Sequence, residues 1–227
     1  MDLHYVHILF QLIALLFALS VHESAHAWMA NRCGDPTARM LGRITLNPIK
    51  HIDPIGTVLL PIISMLTHIP MFGWAKPVPV DPHNFKNYVW DDILTSVAGP
   101  ASNFLQALCA IAVLMAVKLT SGLGYSIVTG LSKGYVMTVS DSLLVPVCLL
   151  VYTLMEINII LTVFNLIPVP PLDGSHVLRH FMPEGALKIY DSIGIFGLVA
   201  LMLLAPGFVS KLIIPVIGIF NSILLRI

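Results

Sequence analysis

The chain has 227 residues, of which 57% are hydrophobic and only 11% charged, with a mean hydropathy of +0.89. Soluble domains carry about 25% charged residues, so this chain cannot cover a water-facing surface, and a polytopic membrane protein is the class that fits. Twelve basic and twelve acidic side chains leave a formal net charge of zero, which gives no basis for nucleic-acid binding. Cys33, Cys109 and Cys148 form no CxxC pair and read as small apolar packing residues. The length suits one integral-membrane domain, 1–227.

In chain order, the apolar run from Ile8 to Ser20 has no basic residue before it and continues into His22-Glu23-Ser24-Ala25-His26 without a cleavage site. It is therefore expected to be a retained transmembrane helix, about 6–30. A span needs about 20 apolar residues, and 93–118, 142–168, 188–205 and 209–226 meet or approach that length. The expected fold is an all-α polytopic membrane protein with about five transmembrane helices. Three of them form a catalytic core within 6–180, and a C-terminal helical hairpin occupies 188–227.

The stretch Ile52–Phe72 is apolar but broken by Pro54, Gly56, Pro61 and Pro70, so it reads as a span, a re-entrant loop or an interfacial element. Residues 73–90 alternate Val, Pro and aromatic residues. They are expected to lie extended at the membrane surface, with Trp74 and Trp90 as interfacial anchors and Pro77 and Pro79 suited to an edge strand. Together 52–90 make a membrane-associated re-entrant or strand-containing segment.

The chemistry concentrates in His22-Glu23-Ser24-Ala25-His26, an HExxH motif. On a helix, residues i and i+4 share one face about 5–6 Å apart, so two imidazoles can hold one metal ion. Glu23 stands beside the first of them, placed to take a proton from an attacking water and return it to a leaving amine. An ionised side chain at the centre of a membrane helix costs at least about 2.5–3.5 kcal/mol, and a bound cation would compensate it. Zinc in catalytic sites takes three protein ligands. The best third ligand is Asp173, in Asn165-Leu-Ile-Pro-Val-Pro-Pro-Leu-Asp173-Gly174. The prolines must end the preceding helix, and irregular backbone at membrane depth is tolerated only around a wet cavity or inside protein.

HESAH and NLIPVPPLDG together resemble the site-2 protease family of intramembrane zinc metalloproteases, in its minimal branch without PDZ or CBS domains. Gly99-Pro100-Ala101-Ser102-Asn103, the 42–48 stretch GRITLNP and the 73–79 stretch GWAKPVP extend the likeness over about 15–180. Where the family pattern has Pro after the Asn of the second motif, this chain has Leu166. The resemblance implies one zinc ion held by His22, His26 and Asp173, with Glu23 as general base. It places Asn103 and Asn165 as polar residues near the site, where each could equally be an interhelical hydrogen bond. His51 and His176 either orient a ligand or sit in solvated loops, the commoner case.

The motifs also constrain topology. His22 and His26 lie near the end of the first span and Asp173 just beyond that of 142–168, so both spans must run the same way and 52–72 should not cross. Nine of the twelve basic residues, all but Lys118, Lys133 and Lys211, then fall on one side, as the positive-inside rule favours. These readings imply cleavage of transmembrane protein substrates in or near their spans, in regulated proteolysis, with the active site toward the cytoplasmic side of a bacterial or archaeal cell membrane. The competing reading is a transporter or a metal or proton relay, which would spread its ionisable groups over several helices at different depths. Glu156, in the fourth expected span, is the one intramembrane acid without a role in this scheme.

Overall fold

The computed structural model describes residues 3–60, 63, 74–135, 142–204 and 207–226. Among these, eight α-helices occur: α1 (Leu3–Cys33), α2 (Thr37–Met40), α3 (Tyr88–Thr120), α4 (Gly122–Ser132), α5 (Leu144–Asn165), α6 (Asp173–Arg179), α7 (Glu184–Leu204) and α8 (Phe208–Arg226). Four described helices are long and apolar enough to cross a membrane: Val6–Cys33, Tyr88–Thr120, Leu144–Asn165 and Phe208–Arg226. The expected span at 188–205 falls in α7, which bends at Gly194 (φ 48°) and is not among these four. Most of 52–72, namely 61, 62 and 64–72, lies outside the described residues, and the expectation that it does not cross rests on the sequence alone. Pro54–Leu59 forms a short wide helical turn. Residues 74–81 are irregular and pair with no strand among the described residues.

Helix ends follow local chemistry. Arg32 stands in the last turn of α1, where a cation complements the helix dipole. Gly34 then takes φ +116°, and the Asp35 N–H reaches back to Ala30 O at 2.9 Å, a Schellman closure that needs a residue tolerant of positive φ. α3 opens on Asn87, whose side chain accepts from Trp90 N–H at 3.3 Å while Asp91 accepts from Asn87 N–H at 2.7 Å. These bonds satisfy donors that a helix start otherwise leaves free.

α1, α3 and α5 pack mutually, and α8 lies against α3, α4 and α5. On α1 the buried positions include Ala14, Ala18, Ala27 and Ala30; small residues let helix backbones approach closely where lipid offers no hydrophobic drive. The largest apolar cluster joins Leu114, Ile127, Met155, Ile159 and Leu224 from α3, α4, α5 and α8. Outward faces carry Leu9, Ile13 and Phe17 on α1 and Leu105, Leu108 and Val113 on α3, all exposed, as a lipid-facing surface requires.

A buried carboxylate that sequence reasoning passed over locks the end of α1 to the chain entering α3. Asp35 is 0% exposed. It accepts from Thr37 N–H (3.1 Å), Thr37 Oγ1–H (2.5 Å), Asn84 Nδ2–H (3.0 Å) and Asp81 N–H (2.8 Å). Burial pushes its carboxyl up, but the hydrogen bonds from Thr37, Asp81 and Asn84 more than reverse this and hold it below the usual carboxylate range. Its contribution to stability is therefore complete above the unfolded value, about 3.9, and is lost as pH falls through the lower folded value. Asp35→Ala, which strands several buried donors, is expected to cost about 3 kcal/mol. Asp35→Asn is expected to cost less and to remove this group's loss of stability below about pH 4. Thermal unfolding in detergent across pH checks both.

Candidate metal centre

His22 and His26 project from one face of α1, one turn apart, with their Nε2 atoms 3.0 Å from each other. Asp173, the first residue of α6, brings Oδ2 to 3.3 Å from His22 Nε2 and 3.4 Å from His26 Nε2. Among the described residues this is the one group of three or more His, Cys, Asp or Glu side chains that converges closely enough for a metal ion.

The hydrogen bonds on the far side of each ring decide what faces inward. His26 Nδ1 lies 2.7 Å from Thr95 O, and a carbonyl only accepts, so the proton is on Nδ1. His22 Nδ1 lies 2.5 Å from Asn103 Oδ1. The Asn103 amide is itself oriented, because its Nδ2 donates to Asn158 Oδ1 at 2.8 Å while Asn158 Nδ2 donates to Leu154 O at 2.9 Å. Both Nε2 lone pairs therefore point at a carboxylate oxygen, Asp173 Oδ2, which is itself buried with no hydrogen-bond partner. Three acceptors converging without a donor repel one another unless a cation sits between them. Zinc fits: tetrahedral bonds of about 2.0–2.2 Å place ligand atoms about 3.3–3.6 Å apart, close to the three separations observed.

Local sequence explains the placement. A carboxylate that ligates a metal is ionised, and a cation between Asp173 Oδ2 and the two inward-facing Nε2 atoms would keep Asp173 in that state. The prolines 168, 170 and 171 carry the chain out of α5 and back into α6. Gly174 follows because a Cβ there would stand 2.4 Å from Leu166 O. Gly99 on α3 lies directly beneath the imidazole pair, where a Cβ would be 2.2 Å from His26 Nε2 and 2.6 Å from His22 Cε1.

Glu23 follows His22 in the motif, and its Oε2 accepts from Val78 N–H at 2.9 Å. The irregular segment 74–81 thus runs over the His-Glu-x-x-His motif. Its other ties are Lys76 N–H to His51 O (2.9 Å), Arg43 Nη2–H to Lys76 O (2.6 Å) and to Pro77 O (3.2 Å), and Thr57 Oγ1–H to Trp74 O (2.7 Å). Ala75 is buried against Leu15 and Leu19 of α1. Along another face of the motif a cavity of about 500 Å³ opens among Val21, Ser24, Ala25, Trp28, Ile44, Thr45 and Leu46.

Of the residues expected at the site, His22, Glu23, His26, Asn103 and Asp173 gather there. Asn165 is half-buried and donates to Leu161 O at 3.0 Å within its own helix, and no hydrogen bond among the described residues joins it to the three ligands. His51 is not a solvated loop residue: it is 2% exposed, and its Nε2 donates to Thr45 O at 2.9 Å. Neither Asn158 nor Arg43 was foreseen, since their partners lie far away in sequence.

The family model for Peptidase family M50 matches residues 10–205. The "Putative zinc metalloprotease YwhC" of Bacillus subtilis (strain 168) is 33% identical over 192 residues, 85% of this chain and 78% of that protein. The "Putative zinc metalloprotease Rip2" of Mycolicibacterium smegmatis is 28% identical over 189 residues, 80% of this chain and 61% of that protein. No solved structure matches significantly. With the match running from the first span through Asp173 and into α7, the chain belongs to peptidase family M50, the site-2 protease family.

Proposed function

We propose that this protein is a zinc metalloendopeptidase that hydrolyses peptide bonds in or near the transmembrane segments of membrane-protein substrates, in regulated proteolysis. The observation that carries the reading is the convergence of His22 Nε2, His26 Nε2 and Asp173 Oδ2, within 3.4 Å of one another, beside the carboxylate of Glu23. One zinc ion per chain, held by these three, would supply a Lewis acid that activates water and polarises the scissile carbonyl.

The protein's own groups do the rest. Asn103 and the Thr95 carbonyl hold the two imidazoles in the tautomer that turns Nε2 inward. Glu23 takes the proton of the attacking water and delivers it to the departing amine nitrogen. Segment 75–80 lies beside that carboxylate, suited to hold a locally unwound substrate in extended form by main-chain hydrogen bonds. The charge distribution favours an active site toward the cytoplasmic side of a bacterial or archaeal cell membrane. A transporter or proton relay would distribute its ionisable groups in depth, whereas here two imidazoles and two carboxylates cluster at one end of α1.

Removing metal provides the test. Purified protein in detergent, treated with a strong chelator and dialysed, is expected to lose cleavage of a transmembrane peptide and to regain it on addition of equimolar zinc. Cleavage that survives with less than a tenth of the zinc remaining would refute the reading.

A further inference from the structure

Asp92, near the start of α3, is 6% exposed, and a carboxylate so buried needs donors. Two histidines of α6 and its C-cap face it. His180 Nε2 donates to Asp92 Oδ2 at 2.7 Å, while His176 Nδ1 stands 3.4 Å from Asp92 Oδ1, within reach of an ion pair but without a hydrogen bond. The two histidines are four positions apart and so share a face. His180 also meets the Tyr88 ring edge to face, centroids 5.6 Å apart.

Seven-residue α6 is too short to hold a helix on its own propensity, and the helix it packs on is α3. Its first residue is Asp173. A further tie, Arg179 Nη2 to Asp191 at 3.1 Å, is exposed and contributes little. Along α3 the positions 92, 95, 99 and 103 recur at three- and four-residue steps and are all buried. One face of one helix therefore carries the Thr95 carbonyl behind His26, the Gly99 gap beneath both rings, the Asn103 amide behind His22, and Asp92.

We propose that Asp92 is a positioning residue of the metal centre: by holding His180 at the C-cap of α6, with His176 close beside it, it fixes α6 on α3 and so holds Asp173 at the distance that His22 and His26 require. The inference rests on the zinc-site reading and extends it to a carboxylate and two histidines that touch neither metal nor substrate.

The test uses the full-length protein in detergent, with zinc affinity measured by competition against a chelating indicator and ligand geometry read from the visible spectrum of the cobalt-substituted site. Asp92→Asn and His180→Phe are each expected to weaken zinc binding about tenfold to a hundredfold and to change the cobalt bands. His180→Phe keeps a ring against Tyr88 while removing the donor. His180→Gln, which can still donate to Asp92, is expected to restore affinity to within about threefold of the wild type. Wild-type affinity and unchanged cobalt spectra in Asp92→Asn and His180→Phe overturn the proposal. So does equal weakening by His180→Phe and His180→Gln, and that pair decides the matter if Asp92→Asn does not fold. A wild type that binds no zinc overturns the metal-centre reading and this proposal together.

Discussion

Glu23→Gln is expected to lower peptide cleavage by about a thousandfold or more, the range that general acid–base catalysis supplies, while zinc stays bound. Gln has the size of Glu and its Oε1 can still accept from Val78 N–H, which Glu23 Oε2 receives at 2.9 Å, so segment 74–81 keeps its anchor. What Gln cannot do is carry a proton from water to the leaving nitrogen. The three candidate ligand atoms belong to His22, His26 and Asp173, and Glu23 is not one of them, so metal content is expected to equal that of the wild type. A single-turnover assay on a transmembrane peptide, with zinc measured on the same samples, separates the two effects. Equal cleavage with equal zinc would remove Glu23 from the reaction.

The second large effect is expected from a single added methyl group. Gly99→Ala places a Cβ 2.2 Å from His26 Nε2, well inside contact distance, and Gly99→Val adds two further carbons. Alanine is about 1 kcal/mol better than glycine inside a helix, so α3 itself should not suffer. Zinc affinity is nonetheless expected to fall about a hundredfold or more, because the two imidazoles must move apart or rotate. Equilibrium dialysis against buffered zinc, beside helix content by circular dichroism, distinguishes a spoiled site from a spoiled fold. Unchanged zinc affinity in Gly99→Ala would mean that the rings have room that the structure does not show.

The His-Glu-x-x-His motif was legible because its signal is local. HExxH needs only helical geometry to bring two imidazoles together, and Asp173 announced itself through a proline-rich break that no continuous helix could contain. The long apolar helices were legible for the same reason, since length and hydropathy are properties of contiguous residues. Asn103 was legible as a residue near the site, but its part in turning His22 was not, because that depends on Asn158, 55 positions away. Arg43, Asp35 and Asp92 stayed hidden because their meaning lies in distant partners. His51 looked like a loop residue until Ser24 and Thr45 closed around it. The extended character of 75–80 was readable from Val-Pro alternation. Its attachment to Arg43, His51 and Glu23 in place of a neighbouring strand was not.

That attachment bears on how such an enzyme can diversify. The partner of Glu23 is a main-chain N–H, and the segment's ties to Arg43 and His51 likewise use main-chain groups on its own side. No particular side chain at 76–78 is needed to keep Glu23 in place, and only proline at 78 would remove the donor. Prolines already stand on either side, at 77 and 79. On the proposed function, drift in this stretch would alter what a substrate polypeptide meets there while Glu23 keeps its place, so substrate choice and catalytic power could change separately.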